Sequence, residues 1–346
     1  MSFNKIIVSL FFCLIYGCSY DPIYQKKHYI FGTLVDIKIY GEKEETAKNI
    51  SNEIIEELNR LHQLLHPWNP GIINDINQAI ANDKSIYINN NEIINIIHDA
   101  STLENNTKGI FNPAIGKLVN LWGFHSETLP TKLPSKEAIN NLVTLKPSMN
   151  NISIKNNILI SRNNSVQIDL GGYGKGYALD QIKNILSVND IPNALINIGG
   201  NILAVGKRGS KTWVVAIQNP REPGVIAKIP LKPGWSIGTS GDYQKYLIDD
   251  EIRYSHLINP FTGLPSQGTQ SAIVLTPPSV NSGTLSDVYS KPLFIAHKNK
   301  KFIVAKSLGL NYFLIIMEDN SIIISKDMMN EISWYQEPDA KNIITN

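Results

Sequence analysis

From Glu42 to His66 apolar side chains recur at Ile50, Ile54, Ile55, Leu58, Leu61 and Leu65, the spacing of one buried helix face. Pro67 ends that pattern, and Pro67–Asn77 reads as a loop. Ahead of the helix, Tyr29–Tyr40 reads as a strand punctuated by Gly32 and Gly41. Further helices are predicted over Glu92–Leu103, Pro113–Leu121 and Ser135–Leu142, the second with proline in its first turn. From Asn151 the rhythm changes to short apolar runs between turn residues. Strands are predicted at Ser153–Lys155, Ile158–Ser161, Val166–Asp169, Ala194–Ile198, Ile202–Val205, Trp213–Gln218, Ala227–Leu231, Tyr254–Leu257 and Ser271–Leu275. Gly199-Gly200-Asn201 joins two of them as a hairpin, because these residues tolerate positive φ. Helices fall at Gly176–Leu186, within Val280–Ala296 and at Lys300–Leu308, and strands near Asn311–Met317 and Ser321–Ser325 follow. Helices first and then a meander of strands define an α+β fold, mostly antiparallel, as one compact two-lobed unit over residues 29–332. Residues 333–346 are polar and read as a loose tail.

Composition narrows the possible partners. The chain has 346 residues, 42% of them hydrophobic, and a net charge of +2 with Lys and Arg scattered, which argues against a nucleic-acid partner. Met1–Lys5 carries one positive charge and Ile6–Ile15 is apolar, the pattern of a secretory signal over residues 1–17. Ile15-Tyr16-Gly17-Cys18 resembles a lipobox, so Cys18 is expected to be lipidated and residues 18–28 to form a tether. The alternative is a plain signal peptide with an incidental cysteine. Cys13 and Cys18 are the only cysteines, so residues beyond 18 can form neither a disulfide nor a thiolate metal site. The expected location is the bacterial cell envelope, held to the bilayer by acyl chains and facing the periplasm.

Three clusters carry chemistry. Gln167–Asp180 passes from an apolar run ending at Asp169 through Gly171, Gly172, Gly174 and Gly176 into a helix. Free amides at such a helix start suit an anion such as phosphate, and Lys175 adds a full positive charge. The same turn also suits plain packing of helix on sheet. It is neither a dinucleotide fingerprint, since Tyr177 stands where glycine is needed, nor a P-loop, since Gly176 follows Lys175. The second cluster, Tyr254–Gly263, holds His256, a proton carrier for activating a hydroxyl or a structural histidine. In the third, Asp287 and Ser290 share a helical face and offer hard oxygens to Mg²⁺, although a helix-start aspartate also favours the dipole. His28, His62, His66, His98, His125 and His297 read as surface or structural residues, and Trp122 as core.

The order of these blocks resembles the FAD:protein FMN transferases, the ApbE family. Gly109–Phe124 is similar to that family's Phe-Asp-Pro-x-x-Gly-x-Leu…Trp-Gly segment. Asp169–Asp180 resembles its Asp-Leu-Gly-Gly-x-x-Lys-Gly-Tyr-Ala-x-Asp, and Asn197–Asn201 its Asn-x-Gly-Gly-Asn turn. Thr239-Ser-Gly-Asp-Tyr243 and His256-Leu-Ile-Asn-Pro-Phe-Thr-Gly263 complete the series, which spans about Tyr29 to Met317. The resemblance implies FAD as substrate, lying across Ile110, Phe111, Asn112, Asp169 and the glycine turn, with Lys175 at the pyrophosphate, Ile258 on the flavin side, and Phe31, where the family commonly has Met, among the binding residues. It implies Mg²⁺ held by the backbone of Gly172, by Asp287 and at positions 290–291. Asn112 stands where the family usually has Asp, and Lys291 where it has a threonine metal ligand. An ammonium cannot coordinate a cation. Either the metal stays on Asp287, Gly172 and Ser290, or Lys291 itself neutralises the pyrophosphate.

The expected reaction is attack of an acceptor Ser or Thr hydroxyl on the FMN-side phosphorus of FAD, releasing AMP, with His256 as general base and Asp287 as the alternative base. The implied acceptor is a flavoprotein subunit of a membrane redox complex. Two other functions fit the same residues. One is hydrolysis of FAD to FMN and AMP, and the other is a non-catalytic FAD-binding lipoprotein.

Overall fold

The computed structural model describes residues 23–126, 128, 132–338 and 341–344. The expected signal segment and the lipidation site Cys18 lie outside them. The fold opens with a hairpin of β1 (Ile23–Ile30) and β2 (Thr33–Tyr40) rather than one strand, and β1 occupies part of the stretch expected to be a tether. Ile30 pairs with Thr33, so the turn is only Phe31-Gly32, at φ 54° and 65°. Two successive positive φ angles match the strand twist, and a bulky residue at the first of them is strained.

α1 (Glu44–Leu65) buries Ile50, Ile54, Leu58, Leu61 and Leu65 as its spacing requires. α2 (Ile72–Ala81) begins inside the expected loop. β3 (Ile86–Tyr87), α3 (Asn91–Asn106), α4 (Gly116–Leu121), α5 (Lys136–Thr144), β4 (Ile152–Lys155) and β5 (Ile158–Ser161) follow, the strands forming a small sheet in the order β3-β5-β4. Two expectations fail here for one reason. Val166–Asp169 forms no strand and Pro113 does not start a helix, because the two segments bond to each other. Gln167 and Asp169 donate to the carbonyls of Ala114 and Pro113, and the Asn77 amide brackets the Ile168 backbone from the other side.

The second half supplies α6 (Gly174–Val188), β6 (Ala194–Ile198), β7 (Asn201–Val205), β8 (Trp213–Gln218), β9 (Val225–Leu231), β10 (Ser236–Gly241), β11 (Tyr246–Asp249), β12 (Ile252–Ser255) and β13 (Thr269–Thr276). After these come α7 (Ser282–Ile295), α8 (Lys301–Ser307), β14 (Phe313–Met317), β15 (Ile322–Ser325), α9 (Lys326–Glu331), β16 (Ser333–Trp334) and β17 (Lys341–Ile344). The last two place strands where a loose tail is expected. The main sheet runs β1-β2-β6-β7-β10-β13-β14-β15-β17, antiparallel except at β15 and β17. The α+β class with mostly antiparallel pairing is therefore the observed one.

β13 is buried at every position because both faces of the sheet are covered. α1 and α6 pack on β1, β2 and β6, α7 and α8 pack on β13 and β14, and the β16-β9-β8 sheet packs on the opposite face. Each fully buried Ile or Leu contributes roughly 1.5–3 kcal/mol.

α6 and α7 approach closely enough that only glycine fits. A methyl added at Gly176 would lie 2.5 Å from the Gly283 carbonyl, and one at Gly283 would lie 2.5 Å from that of Gly176. This contact sets the candidate site.

Candidate active site

Where the two helices meet, each caps the other. Asp287 of α7 accepts from the Gly176 amide at 2.8 Å. Asp180 of α6 accepts from the amides of Gly283 and Thr284 at 2.7 and 2.8 Å and from the Thr284 hydroxyl at 2.7 Å. Both carboxylates thus sit on helix N-termini, where the dipole favours them. The exchange carries a correction. The Gly176 amide is committed to Asp287, and that of Gly174 donates to Leu170, so neither is free to hold a phosphate.

Beside this junction lies a cleft of about 1420 Å³ lined by separate segments between Lys27 and Ile295. The structure brings together in it Phe31, Ile110, Phe111, Asn112, Asp169, Gly172, Lys175, His256, Ile258 and Asp287. Ser290 is not among the lining residues. It is fully buried, its hydroxyl 2.7 Å from that of Ser240 on β10 and donating to the Asp287 carbonyl at 2.7 Å. Lys291, one residue on, enters the cleft instead. Its ammonium donates to Asp287 Oδ1 at 2.5 Å and to the Asp287 carbonyl at 2.8 Å. Its stem lies on the glycine turn, for a methyl at Gly172 would meet Lys291 Cε at 2.7 Å.

These contacts test the metal site. Of the three expected donors, Ser290 points away, and Asp287 has one oxygen on an amide and the other on an ammonium. Mg²⁺ demands oxygen ligands at about 2.0–2.1 Å in octahedral array. The donor set as it stands does not fit that ion, and among the described residues no cluster of three His, Cys, Asp or Glu side chains offers another metal site.

His256 follows β12 and is partly exposed to the cleft. Its Nδ1 lies 3.0 Å from the Lys245 carbonyl, which can only accept, so Nδ1 carries the proton and Nε2 keeps its lone pair. Burial lowers its pKa to about 4 against the raising effect of that hydrogen bond, and Lys175, Lys291 and Lys245 add to the lowering. Burial also lowers the pKa of Lys175, with Asp287 opposing and Lys291 reinforcing the shift. Asp169 is raised by burial, against the Gly171 amide that it accepts at 2.8 Å. The Asn112 side chain is spent locally, donating to Pro147 and accepting from the Ala114 amide. Trp122 is core as expected, and its indole N–H donates to the Gly263 carbonyl at 2.8 Å, tying the loop after His256 in place.

Several lining residues carried no signal in the sequence. His62, His66 and His125, expected at the surface or in structural roles, line the cleft. The Phe31 ring meets His62 edge-on at 5.3 Å, and Trp68 meets His125 at 4.9 Å. Asp180 is the other omission. Its signal was a carboxylate among Ala178, Leu179 and Ile182 in a helix segment buried all round, a position where a charge needs a partner.

A cleft lined by lysines and aromatic rings, beside two mutually capped helices on an antiparallel sheet, defines the class of fold to which the chain belongs. The chain belongs to the ApbE family, whose sequence profile it matches over residues 31–314. It is similar to the FAD:protein FMN transferase of Rhodobacter capsulatus, 33% identical over 307 residues that cover 89% of this chain and 58% of that protein. The chain thus spans less than two thirds of that relative's length. It is 28% identical over 231 residues to the FAD:protein FMN transferase of Vibrio cholerae, covering 66% of this chain and 68% of the other. Among solved structures, the ApbE protein of Thermotoga maritima superposes with a TM-score of 0.81 at 28% identity, covering 90% of this chain and 99% of that one. The flavin transferase ApbE of Vibrio cholerae superposes with a TM-score of 0.75 at 25% identity, covering 90% and 100%.

Proposed function

We propose that this chain transfers FMN from FAD to a Ser or Thr hydroxyl of an acceptor flavoprotein. The observation that carries the reading is the convergence of His256, Lys175, Lys291 and aromatic side chains in one cleft, where burial lowers the histidine's pKa to about 4. At about 1420 Å³ the cleft exceeds the roughly 300–1,000 Å³ usual for small-molecule sites, which leaves room for a dinucleotide and an incoming loop.

The acceptor oxygen attacks the FMN-side phosphorus. The bond from that phosphorus to the bridging oxygen breaks, and AMP leaves with the oxygen. His256 Nε2 takes the hydroxyl proton, while Lys175 and Lys291 offset charge on the phosphoryl oxygens. Such a reaction is catalysed chiefly by positioning and charge neutralisation. Because the donor set does not fit Mg²⁺, no step is assigned to a metal.

The acceptor is proposed to be a subunit of a membrane redox complex, and the enzyme to be lipid-anchored through Cys18 and to face the periplasm. Support for the anchor is the basic and apolar leader before Ile15-Tyr16-Gly17-Cys18.

The test incubates residues 19–346 with FAD and a protein bearing a Ser/Thr acceptor motif, then measures the acceptor's intact mass. A gain of one FMN less water, with AMP in solution, is expected. Free FMN without acceptor labelling would replace the reading with hydrolysis, and bound, uncleaved FAD would replace it with storage.

A further inference from the structure

Lys291 does more than occupy a ligand position. Its ammonium is 2.5 Å from Asp287 Oδ1, about where a cation bound to that oxygen would sit. The side chain is 12% exposed and lies along Gly172, so packing as well as charge holds it there. Lys175 lines the same cleft as Asp287 and Lys291. The amides of Gly174 and Gly176, which might share the load, are already bonded within the protein. A divalent ion on Asp287 would displace an ammonium pinned by two acceptors and meet two like charges.

We propose that Lys291 is a built-in cation that does the work of a divalent metal, so that the site binds the FAD pyrophosphate and acts on it without one. The proposal rests on the FMN-transfer reading for its catalytic half only. Binding alone tests the rest, and so distinguishes failure of one from failure of the other.

The experiment measures FAD affinity by calorimetry in EDTA and in Mg²⁺, for the unaltered protein and for Lys291→Thr, which replaces the ammonium with a hydroxyl. Mn²⁺ bound in the presence of FAD is counted by electron paramagnetic resonance. The unaltered protein should bind FAD equally in both buffers and retain no Mn²⁺. Lys291→Thr should lose about tenfold in affinity in EDTA, the scale of one charge-assisted hydrogen bond, recover it in Mg²⁺ and take up Mn²⁺. Stoichiometric Mn²⁺ in the unaltered protein, or an FAD affinity that collapses in EDTA, overturns the proposal without reference to any variant. A Lys291→Thr protein that folds and matches the unaltered one in both buffers overturns it too. Turnover in EDTA should persist as well: turnover in Mg²⁺ that stops in EDTA overturns the catalytic half of the proposal, whereas FAD binding with no turnover in either buffer counts against the transfer reading alone.

Discussion

At the scale of single residues, the site is governed by which groups are charged when the proposed substrate, FAD, arrives. His256 is held neutral down to about pH 4, so at neutral pH its Nε2 is in the form a base requires. His256→Ala should lower turnover by about 10²–10⁴-fold while FAD affinity is retained, and stopped turnover with undiminished calorimetric binding is the signature to seek. The same shift makes a statement about stability. The folded pKa lies below the ordinary 6.5, so between about pH 6.5 and 4 the unfolded chain binds the extra proton. Stability from this residue is complete above that window and lost as pH falls through it. Urea midpoints of the parent and His256→Ala should converge as pH falls from 6.5 towards 4, and a constant gap would contradict the buried neutral imidazole. His256, Lys175 and Asp287 were legible in the sequence because each lies within its own motif. Ser290 misled because i and i+3 share a helix face only broadly. Which of Ser290 and Lys291 turns to the cleft is set by the register of α7 on β10, where the Ser240 and Ser290 hydroxyls meet at 2.7 Å.

At the scale of elements, the paired helices are the structural core of the site. Asp180→Ala removes three hydrogen bonds from the start of α7 and leaves buried donors unmet. A loss of about 1–3 kcal/mol is expected, together with faster amide exchange at Gly283 and Thr284. A stability change below about 0.5 kcal/mol would mean that the cap is incidental. Gly283→Ala tests the close approach differently. The added methyl meets the Gly176 carbonyl at 2.5 Å, backbone that cannot step aside, so a cost of about 1–3 kcal/mol is expected, with FAD affinity reduced as Asp287 shifts. Most elements with a clear period were readable, α1 above all. β10 was not, because Ser236-Ile-Gly-Thr-Ser-Gly241 lacks the β-branched run that marks a strand. Its small residues serve α7, since a methyl at Gly238 would lie 2.0 Å from the Ser286 carbonyl. β1 escaped because its alternation is carried by polar and half-buried positions.

At the scale of the molecule, strand order is the part that no local pattern could supply. β2 pairs with β6 through Val35 and Ile198, and β10 lies between β7 and β13, so distant segments must meet before the cleft exists. The proposed anchor at Cys18 is the other whole-molecule question. Cys18→Ala in the full chain should move the protein from the membrane fraction to the soluble one after cell lysis, and retention on membranes would require another attachment. With Cys18 acylated, the short first strand fixes a working radius. The five chain steps from Cys18 to Ile23 reach at most about 18 Å, and β1 adds about 26 Å before the chain turns at Phe31 on the cleft wall. The enzyme would then label only hydroxyls that come within about 45 Å of the lipid surface, so that proximity to the bilayer selects the acceptor before any side chain touches it.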